Sequence, residues 1–118
     1  MAYIFKRVMV VTTGSGIGPV LSMLHSFPMT CRILWSTANP EHTYGENIMQ
    51  LVAKADPEAM IIDSRASGRP DMVALAYHMF MQTDAEAVFC ISNPELTRKV
   101  VYGMESRGIP AYGPVWDS

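Results

Sequence analysis

TTGSGIGP, at residues 12–19, joins two apolar segments that differ in their periodicity. The segment before it, Val8–Val11, is wholly apolar and rich in β-branched residues, which is typical of a strand buried on both faces. From Pro19 to His25, apolar residues recur at helical spacing, and proline is well suited to the first helical position. The stretch therefore predicts a strand, a tight glycine turn and a helix in direct succession.

The rest of the chain repeats this alternation. The patterns predict further strands over Arg32–Ser36, Ala59–Asp63 and Ala87–Ile91, and a short edge strand within Ile109–Trp116. They predict helices over Tyr44–Ala55 and Asp71–Gln82, and a last helix that is opened by Ser92-Asn93-Pro94 and runs to about Ser106. A polar loop is predicted over Ser64–Gly68. Alternating strands and helices favour a parallel sheet with helices on both faces. The predicted fold is α/β, a three-layer Rossmann-like sandwich with a mostly parallel sheet of about five strands, formed by residues 1–118 as a single module.

The composition narrows the possible functions. The 118 residues are 49% hydrophobic and 17% charged, with a net charge of −2, so no basic surface for nucleic acid is expected. No apolar run approaches the roughly 20 residues that span a bilayer, and a cytoplasmic protein without a membrane span in this chain is expected. Cys31 and Cys90 lie outside any ligand cluster, so we expect reduced thiols and no metal site.

The glycine turn has the chemistry of a phosphate site. Backbone N–H groups at a helix start carry partial positive charge, and glycines let a pyrophosphate approach them closely. Hydroxyls of Thr13 and Ser15 add donors, and the absence of Gly-Lys-Ser/Thr excludes a Walker loop. The alternative is a structural turn between strand and helix. The candidate phosphate-binding residues are Thr13, Gly14, Ser15, Gly16, Ile17, Gly18 and Pro19.

The same residues carry a family resemblance. Thr13–Leu24 resembles the T-G-[TS]-G-I-[AG]-P-x-x-S-x-L segment of the ferredoxin–NADP reductase superfamily. In that family the segment begins the NAD(P)-binding half and holds the dinucleotide pyrophosphate. The resemblance implies that residues 1–118 form an NAD(P)-binding module of ferredoxin reductase type.

The loop after the third predicted strand offers a second anion site. Ser64, Arg65 and Arg69 combine a hydroxyl with guanidinium groups, which suits a phosphate monoester, although a solvated polar turn is the alternative. NADPH-preferring members of the family carry a Ser-Arg pair there for the 2′-phosphate. The acidic residue usual in NAD sites at the end of the second strand is replaced by 36–38, Ser-Thr-Ala, which favours NADP(H).

The end of the fourth predicted strand departs from the family. Val88–Pro94 resembles the V-Y-x-C-G-P-P stretch, in which the cysteine assists hydride transfer, but Ile91 occupies the cysteine position and Cys90 is displaced by one. Cys90 is therefore expected on the opposite strand face, as a buried small side chain. Ser92 and Asn93 remain candidate donors to a nucleotide. Trp116 or Tyr112 resembles the terminal aromatic residue that stacks on flavin in the family, with packing as the alternative.

The lack of flavin-binding motifs in these residues leaves three functions open. Reductases of this family carry a flavin-binding barrel, and its motifs have no counterpart here. The chain is expected to be an NADP(H)-binding domain that serves hydride transfer to a flavin carried elsewhere, a stand-alone dinucleotide-binding or sensing protein, or a structural interaction protein. Catalytic residues stay unassigned, FAD is expected only with a partner domain, and the partner is a flavin-binding domain or a second copy.

Overall fold

The computed structural model describes residues 6–26, 30–68 and 70–113. The strands are β1 (Arg7–Thr13), β2 (Thr30–Thr37), β3 (Met60–Asp63), β4 (Ala87–Ile91) and β5 (Ala111–Tyr112). The helices are α1 (Ile17–Ser26), α2 (Pro40–Ala55), α3 (Ser64–Ser67), α4 (Met72–Met81) and α5 (Pro94–Glu105), with a 3-10 turn (Gly14–Gly16) between β1 and α1. None of the described helices combines the length and apolar composition that crossing a membrane requires.

The strands form one parallel sheet in the order β3-β2-β1-β4-β5. The chain builds outward from β1 to β3 and then returns to place β4 on the other side of β1. The strand order therefore reverses between β1 and β4, where sheets of this kind have their topological switch point. The predicted Rossmann-like α/β fold is confirmed, including the short fifth strand at an edge.

Helices cover both faces of the sheet, and successive side chains of β1 point to opposite faces. One core joins the sheet to α1 and α2, with Val8, Val10, Ile17, Val20, Cys31, Ile33, Trp35 and Val52 as its buried members. The other joins it to α4 and α5, with Met9, Val11, Leu34, Met72, Ala76, Met79, Val88, Cys90, Val100, Met104, Ile109 and Ala111. Because all five strands are parallel, their carboxyl ends lie together along one border of the sheet, which is called the carboxyl edge below.

Two helices begin earlier than the sequence predicts. α1 begins at Ile17 rather than Pro19, because the 3-10 turn runs directly into it. α2 begins at Pro40 rather than Tyr44, after Asn39 in the left-handed conformation (φ +47°). Gly45 (φ +79°) interrupts α2, and the apolar periodicity that predicts the helix begins only beside this interruption.

The expected polar loop over Ser64–Gly68 contains the short helix α3 instead. Asp63 caps it, because its side chain accepts a hydrogen bond from the Arg65 backbone N–H at 3.0 Å. Gly68, with φ +78°, follows the last helical residue. A four-residue helix is too short to show an apolar period, so the sequence pattern does not reveal it.

Gly16 lies where the chain crosses the carboxyl end of β4. A Cβ on Gly16 would overlap the Thr12 hydroxyl oxygen and lie 2.7 Å from the Ile91 carbonyl oxygen. The Thr12 hydroxyl itself donates to that carbonyl at 2.7 Å. At Gly18, by contrast, a Cβ would meet no atom within 4 Å. Internal packing between β1 and β4 therefore requires glycine at position 16 but not at position 18.

We expect Gly16→Ala to lower the free energy of unfolding by about 1–3 kcal/mol, because the added methyl group overpacks the β1–β4 junction. Gly18→Ala is the matched control, and its free energy of unfolding should stay within about 0.5 kcal/mol of the parent chain. Urea denaturation of both variants measures the difference. Equal stability of the two variants would contradict the packing role of Gly16.

Candidate functional site

A cleft of about 470 Å³ opens at the carboxyl edge of the sheet. It is lined by the ends of β1 and β2, by the start of α3 directly after β3, by the start of α4 and by the first two turns of α5. Thr13 and Ser36 are register partners at the ends of β1 and β2, and Thr37 is paired with the last residue of β3. The hydroxyl-bearing residues that line the cleft are Thr13, Ser36, Thr37 and Ser64. Ligands of parallel α/β sheets bind outside this edge.

The glycine turn places one part of its backbone in the cleft. Gly14, in the left-handed conformation (φ +52°), lines the cleft, and its carbonyl accepts a hydrogen bond from the Trp35 indole N–H at 3.0 Å. The Ile17 N–H already donates to the Ser15 carbonyl, and the Ile17 side chain is buried in the core. Ile17 therefore offers a ligand neither a free backbone N–H nor an accessible side chain.

The other candidate residues of the turn are divided by their exposure. Ser15, Gly18 and Pro19 are exposed, whereas Gly16 is directed at Thr12 and the end of β4. Space for a ligand phosphate against the backbone thus exists at Gly14 and Gly18. The close approach at Gly16 is made by the protein itself.

Hydroxyl groups connect the turn to the end of β4. The Thr13 and Ser92 side chains share a hydrogen bond across the switch point. One hydroxyl donates in such a pair, so the accepting hydroxyl keeps its own O–H for a ligand or water. The sequence predicts both side chains as ligand donors, and in the structure they meet across the β1–β4 junction.

Asn93 has a structural task at the start of α5. Its Oδ1 accepts the Leu96 backbone N–H at 2.8 Å, and Pro94 occupies the first helical position. Asn93 also lines the cleft. Its side-chain NH₂ group carries two donors that the helix cap does not use.

Ser64 and Arg65 are separated by the geometry of α3. Ser64 lines the cleft, whereas Arg65 is exposed and does not contribute to the lining. The Asp63 carboxylate holds this region together, because its Oδ1 accepts the backbone N–H groups of Asn39 at 2.9 Å and of Arg65 at 3.0 Å. These hydrogen bonds join the loop after β2 to the loop after β3.

Two charged residues of the cleft are not predicted as site residues from the sequence. Glu95 and Lys99 lie one helical turn apart on α5, and both line the cleft together with Leu96. Their spacing places them on one helix face. The sequence contains this spacing, but it does not show that the face turns toward the ends of β1 and β2 rather than toward solvent.

Two expected site residues, Arg69 and Trp116, lie outside the described residues. Tyr112, the other aromatic candidate, lies on β5 and stacks on Phe89, with the two ring centroids 5.4 Å apart. Tyr44, in the N-terminal part of α2, makes an edge-to-face ring contact with Trp35. Within the described ranges, no three His, Cys, Asp or Glu side chains converge on a possible metal position.

Cys90 is buried beneath α5, as the sequence predicts. Its side chain belongs to the core on the α4 and α5 face, and burial raises the pKa of its thiol to about 11. A thiol with this pKa is protonated at neutral pH and is a poor nucleophile. The geometry therefore gives Cys90 no place in the chemistry of the cleft.

Comparison with known proteins places this arrangement in a family. The sequence model described as "Adenylate-forming reductase 03009, C-terminal domain" matches residues 1–118. The chain belongs to this family. Adenylate-forming reductases 03009 and 06235 of Coprinopsis cinerea are each 47% identical to it over 114 residues, which is 97% of this chain. The chain spans 11% of the length of each of these relatives.

Solved structures show the fold of this adenylate-forming reductase domain at greater distance. The C-terminal domain of a hydrogenase from Pyrococcus furiosus superposes with a TM-score of 0.67 at 12% identity, covering 91% of this chain and 88% of that one. A second structure of that domain gives the same TM-score at 11% identity, with 92% and 90% covered. The likeness confirms the five-stranded parallel sandwich.

We expect the Asp63 carboxylate to make stability pH-dependent. The hydrogen bond from the Asn39 backbone N–H is the largest cause that lowers the pKa of Asp63 below its ordinary value of 3.8. Desolvation comes second and acts in the opposite direction, and the backbone N–H groups of Arg65 and Ala66 and the Arg65 charge lower the pKa further. Its stabilisation is present above the unfolded pKa and is lost as pH falls through the lower native pKa. The urea midpoint of Asp63→Ala should therefore fall below the parent value at neutral pH, and the gap should narrow in acid.

Asp63→Asn is the matched control for that measurement, because it keeps the acceptor oxygen and removes the charge. Its midpoint at neutral pH should lie between those of the parent chain and Asp63→Ala. A gap between the parent chain and Asp63→Ala that widens in acid would contradict the assigned role of the carboxylate.

We expect both cysteines of the folded chain to resist thiol reagents. Burial is the main cause that raises the pKa of Cys31, like that of Cys90, to about 11. Reaction with Ellman's reagent near neutral pH should be slow in native buffer and fast in denaturant. Rapid native labelling, mapped to Cys90 by peptide mass, would show that this thiol is accessible and reactive.

Proposed function

We propose that this domain binds NADP(H) in the cleft at the carboxyl edge and serves hydride transfer to a flavin carried elsewhere in the protein. The observation that supports it best is the cleft itself, which combines the Gly14 backbone with hydroxyls from three strand ends. Its volume of about 470 Å³ lies in the range of ligand pockets, roughly 300–1,000 Å³. An extended dinucleotide would occupy the cleft and continue across the glycine turn.

The residues present fit the parts of a dinucleotide. Gly14 and Gly18 leave open space at the turn for a pyrophosphate, and the Thr13–Ser92 pair retains one hydroxyl donor. The Asn93 amide group supplies further donors at the start of α5. Bound NADPH would supply the hydride, whereas the domain supplies binding and orientation.

The choice of NADP(H) over NAD(H) rests on the ends of β2 and β3. Ser36 and Thr37, at the end of β2, offer no carboxylate to a ribose 2′-hydroxyl. Ser64 lines the cleft after the end of β3, and the exposed Arg65 is the next residue in the chain. A hydroxyl with a guanidinium suits a phosphate monoester.

The family supports an electron-transfer role. The relatives are named adenylate-forming reductases, and a reduction requires an electron donor, which a nicotinamide dinucleotide provides. This chain spans 11% of their length, so a flavin-binding partner would be supplied by the remainder of such a protein. The resemblance to the ferredoxin–NADP reductase superfamily favours FAD as that flavin.

We expect the chain to bind NADPH more tightly than NADH, and Ala38→Trp to weaken NADPH binding by about tenfold or more. Ala38 is exposed and lines the cleft, so an indole there obstructs the cleft without disturbing the core. Isothermal titration calorimetry measures the affinities.

Ala53→Trp is the control, because Ala53 is an exposed alanine on α2 outside the cleft. Its NADPH affinity should equal that of the parent chain. Absence of NADPH and NADH binding to the parent chain would refute the proposal. Binding without NADPH-dependent dye reduction by the full-length protein would favour a sensing role over hydride transfer.

A further inference from the structure

Lys99 is the one cation among the described residues that line the cleft. Arg65 does not contribute to the lining. Within the described ranges, the ion pairs of the structure involve Arg7 and Arg32, and none involves Lys99. Glu95 lines the same cleft one turn earlier, so the two side-chain charges of the described lining cancel. An anionic ligand in this cleft would have Lys99 as its available counter-charge.

The geometry of α5 directs Lys99 toward the glycine turn. Lys99 is five residues after Pro94, the first residue of the helix, which is about 7.5 Å along the axis. Side chains of a helix lean toward its N-terminus. That end of α5 follows β4 directly, and Ser92 is hydrogen-bonded to Thr13 of the neighbouring β1. An extended Lys99 side chain can therefore bring its ammonium group toward the β1–β4 side of the cleft.

The Ser64 end of the cleft lies farther away. β3 is separated from β1 by β2, and neighbouring strands lie roughly 4.8 Å apart, so the ends of β1 and β3 are about 10 Å apart across the edge. α5 follows β4, on the side of β1 away from β3. A phosphate at Ser64 and a phosphate at the glycine turn would thus be distinct groups of one ligand.

We propose that Lys99 neutralises the pyrophosphate of the bound nucleotide at the glycine turn, independently of the 2′-phosphate. This inference rests on the proposed nucleotide-binding function and adds a residue from α5 to it. Lysine binds phosphate as a point charge from a flexible side chain, which suits an approach from the far wall of a cleft. Removal of its charge would leave Glu95 uncompensated and turn the lining negative.

The test compares Lys99→Gln with Arg98→Gln in the 118-residue chain. Both positions are exposed neighbours on α5, but Arg98 does not line the cleft, so it controls for loss of one positive charge. Calorimetric titrations use NADPH, NADH, ADP and adenosine. Lys99→Gln should weaken NADPH, NADH and ADP alike, by about tenfold, and leave adenosine unchanged. Arg98→Gln should match the parent chain, and Lys99→Arg should restore most of the affinity.

The ionic strength supplies a second readout. The ADP affinity of the parent chain should fall with added salt more steeply than that of Lys99→Gln, because one screened charge pair is lost. Unchanged ADP affinity in Lys99→Gln, or a loss confined to NADPH, would overturn the inference while the nucleotide-binding function stands. If the parent chain binds none of NADPH, NADH and ADP, the proposed function fails and this inference falls with it.

Discussion

The β1–β4 junction is the contact on which the rest of the structure depends. The Thr12 hydroxyl bonds to the Ile91 carbonyl, and the backbone of Gly16 passes over the same carbonyl without room for a side chain. The Thr13–Ser92 hydrogen bond joins the last residue of β1 to the residue that follows β4. These contacts set where the glycine turn, α1 and α5 begin, and so they define one side of the cleft.

The three glycines of the turn consequently have different structural roles. Gly14 adopts a positive φ, Gly16 permits close packing inside the protein, and Gly18 faces open space. In the dinucleotide-binding fingerprint, too, individual glycines serve a tight turn, close approach to the pyrophosphate, and packing of the helix on the strand. Here the packing at Gly16 has a structural explanation, whereas ligand approach is what we propose for Gly14 and Gly18.

On the other side of the cleft, the Asp63 carboxylate holds neighbouring parts of the chain together. Asp63 accepts the N–H of Asn39, which is held in the left-handed conformation before α2, and caps α3. It thereby fixes the loops after β2 and β3 relative to each other. The hydroxyls of Ser36, Thr37 and Ser64 reach one cleft because these loops are joined.

The sequence by itself determined the order of strands and helices, the parallel sheet and the glycine turn, because apolar periodicity and glycine conformation act over a few neighbouring residues. It also placed Cys90 on a buried strand face. The tertiary structure alone decided that Gly16 packs against Ile91, that Asp63 joins two loops, and that Lys99 faces the cleft while Arg65 does not. Each of these pairs elements distant in the chain, and only the packed sheet sets their separation.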